Sequence, residues 1–403
     1  MTVASKAVPP RVAVLFSRLG PYHLARLRGA ASALDRAGAQ LAAIAVAGID
    51  RVYAWQPVAL PTAYLSVVLF PDIEYEQIGR RKLIRRLRAQ LDAFDPVAVA
   101  LPGWSFIEAK AGLEWCRDNG RAAILMTESA QSDHFRLWPR EIAKQVLVRK
   151  FHAALVGGGS HADYARALGI PRACIFHGYD AVDNDYFIQG AERVRADAAA
   201  RRAAAGLPPR YLLTSSRFVE KKNIDGLLRG YALFAARRPD APPLVVCGDG
   251  PLRDALKQLA VTLGVQDRVV WPGFVQYPDL PTFYALADGF ILASTTEQWG
   301  LVVNEAAASG LPLLVSSRCG CAADLVREGE NGYTFNPRAP EAIAGALARL
   351  PAEPEALARM GRRSRELVAA VSPEVFGANL LEAARVALAR IGREDLTPAG
   401  DAG

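Results

Sequence analysis

Two carboxylates stand either side of seven residues in the run Glu297-Gln298-Trp299-Gly300-Leu301-Val302-Val303-Asn304-Glu305. They bracket the start of a short helix that Gly310 is placed to end. The free amides that open such a helix, around Gly300, Leu301 and Val302, offer a seat for a phosphate. Glu305 lies about one turn further in and has two oxygens for a diol such as a ribose. Glu297 lies on the other side of that phosphate, where a sugar would hang. The same pattern also fits an acid that favours a helix N-terminus plus a solvated helical glutamate. Spacing alone leaves both readings open.

Two cations suit the same chemistry. Arg217 and Lys222 sit in Ser215-Ser216-Arg217-Phe218-Val219-Glu220-Lys221-Lys222-Asn223, after an apolar run at 211–214. A planar fork and a mobile point charge can neutralise a diphosphate from two sides; surface salt-bridging is the alternative. The turn at Gly248-Asp249-Gly250-Pro251 follows another apolar run and lacks the third glycine of a dinucleotide fingerprint. Phe274 and Val275 close the run 269–275, where a nucleotide base could lie. Nearer the start, Gly20-Pro21 leads into a helix with His23 at its beginning. The loop from Thr127 to His134 carries Glu128 and Asp133, which fit acceptor hydroxyls or bonds within the loop.

The elements that must position these residues follow from pattern. Short apolar runs at 11–16, 41–46, 65–70, 97–101, 122–126, 153–156, 211–214, 290–292 and 313–315 read as strands. Amphipathic helical stretches separate most of them, which predicts an α/β chain with mainly parallel, doubly wound sheets. Loops at the carboxyl ends of such strands are where ligands bind, and the residues above fall there. After Gly157-Gly158-Gly159, no Lys-Ser or Lys-Thr completes a phosphate loop, and Ser160 is expected to cap a helix. Asp183-Asn184-Asp185 reads as a helix cap rather than a metal site. All five histidines precede residue 186, so the second half cannot build a Ser-His-Asp site alone.

The stretch 297–312 resembles the Glu-x7-Glu signature of family 4 retaining glycosyltransferases. The likeness continues through Arg318-Cys319-Gly320-Cys321 to Asn331-Gly332-Tyr333-Thr334-Phe335. Arg217 and Lys222 are similar to that family's diphosphate clamp, although Asn223 stands where glycine is usual. Thr127-Glu128-Ser129 replaces the His-Asp pair common in the family near the acceptor. The resemblance implies a GT-B fold, two Rossmann-like domains facing across a cleft. It implies an acceptor-binding domain at 1–185, to which a helix at 373–391 returns, and a nucleotide-sugar domain at 186–372. A tail at 392–403 is expected to be disordered. By the same resemblance Glu297, Arg217 and Lys222 act on the donor sugar and diphosphate. Glu305, Gly300, Leu301, Val302, Gly248, Phe274 and Val275 hold the donor, and Gly20, His23, Glu128 and Asp133 face the acceptor. No metal or other cofactor is expected, the nucleotide-sugar being a substrate.

Bulk properties narrow the classes further. The chain of 403 residues is 51% hydrophobic and 22% charged, with room for about two domains. No run nears the ~18 apolar residues of a membrane span, so a cytoplasmic protein is expected. Five scattered cysteines suggest no disulfide framework, and Cys319-Gly320-Cys321 lacks a second pair for zinc. The net charge of +7 favours anionic partners. The basic run Arg80-Arg81-Lys82-Leu83-Ile84-Arg85-Arg86-Leu87-Arg88 fits contact with an anionic inner membrane surface or a solvated face. It lacks the interleaved aromatics of a nucleic-acid binder. The reading is a transferase from a nucleotide-diphosphate sugar to an unspecified acceptor. A GT-B phosphorylase or epimerase, and a non-catalytic nucleotide-sugar scaffold, are its rivals.

Overall fold

The computed structural model describes residues 8–49, 60–131 and 138–396. It divides into two compact units: Met1–Ser129 with Phe135–Ala181 and Pro373–Gly403, and Ala130–His134 with Val182–Ser372. The second unit begins a few residues before position 186. Asn184 explains this, because its buried Nδ2 donates to the carbonyls of Val368 and Val371. Asp183 caps the helix Asn184–Ala196 by accepting from the Tyr186 amide, in agreement with the capping reading.

The first unit is built on a seven-stranded parallel sheet. Its strands are β1 (Arg11–Arg18), β2 (Gln40–Ile49), β3 (Leu65–Glu74), β4 (Ala98–Pro102), β5 (Ala122–Thr127), β6 (Ala153–Val156) and β7 (Ile175–Phe176). Their order is β3-β2-β1-β4-β5-β6-β7. Every residue of β4, β5 and β6 is buried, as continuous apolar runs in a sheet covered on both faces require. Pro71 is tolerated because β3 is an edge strand. The helix Pro373–Ala389 packs on the helix Pro21–Arg36 at a close crossing. A Cβ at Gly377 would lie 2.1 Å from the Gly29 carbonyl oxygen, so glycine is required there. From Gly392 to Leu396 the chain is held rather than disordered. Leu396 is buried and its carbonyl accepts from Arg385. Positions 397–403 of the expected tail lie outside the described residues.

The second unit repeats the plan with six parallel strands, β8 (Leu212–Ser215), β9 (Leu244–Cys247), β10 (Val269–Gly273), β11 (Gly289–Leu292), β12 (Leu313–Ser316) and β13 (Gly332–Phe335). Their order is β10-β9-β8-β11-β12-β13. The core joins Leu227, Tyr231 and Phe234 of one helix to Val246, Ile291 and Leu314 of the strands. β7 and β13 were not expected from apolar runs, since β7 has two residues and β13 alternates with polar ones.

One local expectation is corrected and another is narrowed. Gly158, not Ser160, stands at the N-cap of the helix Gly159–Ala167, and buried His161 accepts from the Gly158 amide through Nδ1. The basic helix Arg80–Phe94 buries Leu83, Leu87 and Leu91 in its own unit. Its apolar side is therefore used in the core, and mainly charge faces outward.

Candidate active site

In the second sheet the strand order reverses between β8 and β11, which pair directly. Loops leaving the carboxyl ends of two such strands diverge and leave a crevice between them. The β8 loop carries Arg217 and Lys222; the β11 loop carries Glu297. Backbone bonds tie the two loops together, the Thr295 amide donating to the Lys221 carbonyl at 2.8 Å.

Lys222 Nζ donates to Glu297 Oε2, which also accepts from the buried Ser294 hydroxyl at 3.1 Å. The two charged side chains are 13% and 12% exposed, enough for an anion to reach them. Asn223 explains how Lys222 is aimed. It adopts φ +54°, a left-handed conformation that asparagine tolerates better than most residues, and its Nδ2 donates to the Ala293 and Pro337 carbonyls. Asparagine thus fills a glycine-type position while stitching the β8 loop to its neighbours.

The Glu297 backbone is fixed like a strand residue. It bridges Cys319, its amide donating to the Arg318 carbonyl and its carbonyl accepting from the Gly320 amide. Trp299 is buried and donates through Nε1 to Asn304 at 2.8 Å. Gly300 then turns with φ +104° into the helix Leu301–Ala308, whose first amides are the orphan donors of a helix start. Cys319 and Cys321 are free, buried thiols, and burial pushes both pKa values up.

The remaining donor-side expectations fare unevenly. Glu305 is fully buried and accepts from the Tyr284 hydroxyl at 2.5 Å, so the Glu297 and Glu305 side chains do not share one open surface. At Gly248 a Cβ would lie 1.8 Å from the Ser216 carbonyl oxygen, which gives this glycine a packing reason. Arg217 is half-buried beside it. Phe274 and Val275 follow β10 and are half-buried. Ser294, Tyr284 and Asn304 were missed by sequence reasoning; only their nearness to the glutamates marks them.

The first sheet reverses between β1 and β4. Gly20 is the extended N-cap of the helix Pro21–Arg36, and His23 lies against Phe16 with ring centroids 4.4 Å apart and the rings tilted by 54°. Burial, helped by the Arg26 charge, lowers the His23 pKa to about 3, and its Nδ1 has no partner. Beside it Arg26 donates to the Ala181 carbonyl at 2.9 Å and lies 3.9 Å from Asp180. Burial, repulsion from the nearby Glu128 carboxylate and a hydrogen bond with it raise the pKa of Asp180, against the pull of Arg26. A third acid, Glu108, is fully buried and accepts from Ser17 at 2.5 Å and Tyr75 at 2.7 Å. Asp133 lies outside the described residues. Arg26, Asp180 and Glu108 had no sequence signal, because their partners are remote in the chain.

Residues 197–367 match the model of a family described as glycosyl transferases group 1. The matched segment is less than half of the chain. It contains Arg217, Lys222, Glu297 and Glu305. Among curated relatives, the chain is 32% identical over 229 residues to a GDP-mannose-dependent alpha-(1-6)-phosphatidylinositol monomannoside mannosyltransferase of Mycobacterium tuberculosis H37Rv. That match covers 53% of this chain and 56% of the relative, so it spans about half the length of each. A D-inositol 3-phosphate glycosyltransferase of Streptomyces griseus is 33% identical over 190 residues, covering 43% of this chain and 40% of its own.

Among solved structures, sucrose-phosphate synthase from Thermosynechococcus elongatus matches with a TM-score of 0.70 and 19% identity. The match covers 90% of this chain and 95% of that one. Anabaena HepE, solved with UDP and glucose, matches with a TM-score of 0.67 and 16% identity, over 93% and 98% of the two chains. These likenesses establish the fold, which is GT-B with one parallel sheet in each unit.

Proposed function

We propose that the chain is a retaining glycosyltransferase that moves a sugar from a nucleoside diphosphate donor to an acceptor hydroxyl without a metal ion. The observation that carries this reading is the Lys222–Glu297 pair at the β8/β11 reversal. An arriving sugar diphosphate competes with Glu297 for the ammonium. Lys222, Arg217 and the amides near Leu301 then stabilise charge growing on the departing phosphate. Glu297, released from Lys222 but fixed through its backbone, orients the sugar. Glu305 serves the nucleoside ribose through a modest shift of the Tyr284 hydroxyl. The acceptor attacks the face the diphosphate leaves, and a departing phosphate oxygen takes its proton.

The named relatives act with GDP-mannose or on inositol phosphate, which makes a GDP- or UDP-linked hexose the first donor to try. Trp138, Ile142 and Val146 recur every fourth residue and are all exposed on the helix Trp138–Val148. Such an apolar stripe supports a lipid-linked acceptor and peripheral membrane contact, with the charged face of Arg80–Phe94 contributing.

Incubating the protein with GDP-mannose or UDP-glucose and extracted lipid acceptors should give a glycoside whose anomeric configuration, read by NMR, matches the donor. An inverted product would overturn the retaining reading. Turnover that needs inorganic phosphate, or donor epimerisation without acceptor, would favour the phosphorylase or epimerase. Binding with no turnover across a donor panel would favour a scaffold.

A further inference from the structure

The first unit has a second concave feature, away from the carboxyl edge that holds His23 and Glu128. A cleft of about 480 Å³ opens where β5 and β6 begin, at the amino edge of the sheet. Five of its lining residues are cations, Lys110, Arg117, Arg121, Arg149 and Lys150, against a single acid, Glu114. Leu113, Leu147 and Ile391 supply apolar wall.

Little of this charge is neutralised locally. Lys110, Arg149 and Lys150 enter no ion pair among the described residues. Arg117 lies 3.6 Å from Asp118, a carboxylate that Arg88 holds more closely at 2.5 Å. Arg121 meets Asp95 through one terminal nitrogen at 2.5 Å, while its Nε is buried without a partner. His152 also lines the cleft and accepts from the Ala123 amide through Nδ1, which leaves its proton on Nε2 as a donor. A smaller cleft of about 350 Å³ in the second unit is also arginine-lined, but Arg195, Arg210 and Arg365 there are engaged by carbonyls or carboxylates of the protein. There Arg195 donates to the Ala285 and Ser309 carbonyls, and Arg365 to that of Ala308.

We propose that the first-unit cleft binds a phosphate ester that carries an apolar group. The phosphate relieves repulsion among the cations and satisfies Arg121 Nε, and the apolar part lies on Leu113, Leu147 and Ile391. Two sources share that chemistry, a soluble aromatic or alkyl phosphate and the headgroup of an anionic lipid. The helix with the exposed Trp138, Ile142 and Val146 runs directly into the rim at Leu147 and Arg149.

The test uses the full chain with two probes, phenyl phosphate by calorimetry and phosphatidylglycerol vesicles by co-sedimentation, phosphatidylcholine vesicles serving as control. Because the proposed donor site also takes phosphate, each probe is run on Lys222→Ala protein as well. The expected result is binding kept by Lys222→Ala and weakened at least about tenfold by Lys110→Gln combined with Lys150→Gln. Saturable binding of phenyl phosphate assigns the soluble source; selective binding of the anionic vesicles assigns the headgroup. Glu114→Gln should tighten binding severalfold, an effect that misfolding cannot produce. Absence of binding to both probes, or loss with Lys222→Ala and retention in the double variant, would overturn the proposal.

Discussion

The two units reverse their strand order in the same way and put polar groups at the reversal, yet they treat charge differently. In the second unit a lysine and a glutamate meet at slight exposure, each stabilised by the other and ready for a charged visitor. In the first, Glu108, Asp180 and His23 are turned inward among Ser17, Tyr75, Arg26 and Phe16, and burial drives His23 and Asp180 toward their neutral forms. Under the proposed function, one arrangement takes a diphosphate, whose charge replaces that of Glu297. The other suits hydroxyl-bearing ligands, which bring no charge and need donors and acceptors held in place. The difference teaches that a shared topology sets where polar groups gather, while burial and pairing set their ionic state.

The largest effect that would sharpen this contrast is expected at the second-unit pair. Under the proposed function Lys222→Ala removes a charge-assisted contact to the diphosphate, and it leaves Glu297 with the Ser294 hydroxyl but no cation. Donor turnover should fall tenfold to more than a hundredfold, about 1.5–3 kcal/mol. Glu297→Gln should keep nucleotide affinity, measured by thermal shift, and lose turnover. Unchanged turnover in either variant would dissolve the assignment.

The next effect tests whether the first-unit edge is neutral. His23 has a folded pKa of about 3 against 6.5 for the free side chain. Its contribution to stability is therefore complete above pH 6.5 and is lost as pH falls toward 3, because only the unfolded chain takes the proton. Between pH 6.5 and 5 this amounts to as much as about 2 kcal/mol. Asp180 acts in the opposite sense, since its raised pKa favours the fold in acid and weakens it as pH rises. Urea midpoints of wild type and His23→Gln should diverge at pH 6.5 and converge toward pH 5. Parallel pH profiles would show that His23 is solvated.

The smallest effect concerns loop geometry. Asn223→Gly keeps the left-handed turn but loses the side-chain bonds to the Ala293 and Pro337 carbonyls. A cost of about 1 kcal/mol is expected, seen as a lower melting temperature, together with a modest rise in KM for the donor. An unaltered melting temperature would mean that the backbone alone aims Lys222.

The second-unit site was largely legible because its parts are close in sequence. Glu297, Gly300 and Glu305 span nine residues, and Arg217 and Lys222 share one loop. Short-range spacing survives folding, so motif and geometry agree for Lys222 and Glu297. They part at Glu305, whose burial against Tyr284 depends on a helix about twenty residues upstream. They part also at Gly248, whose missing side chain makes room for the Ser216 carbonyl. The first-unit edge was hardly legible, since Arg26 meets Asp180 and Ser17 meets Glu108 across most of the unit. The apolar positions of the basic helix were visible, but not that the core would take them.

By itself, the sequence determined the alternation of apolar runs and helices, hence two parallel sheets, and the cations and acids clustered at the carboxyl edge of the second. Periodicity and residue type are local properties, written in the order of the chain. Only the tertiary structure decided which charges meet, which are neutralised by burial and which are left facing solvent. Those outcomes depend on distance and dielectric between groups that the chain keeps far apart.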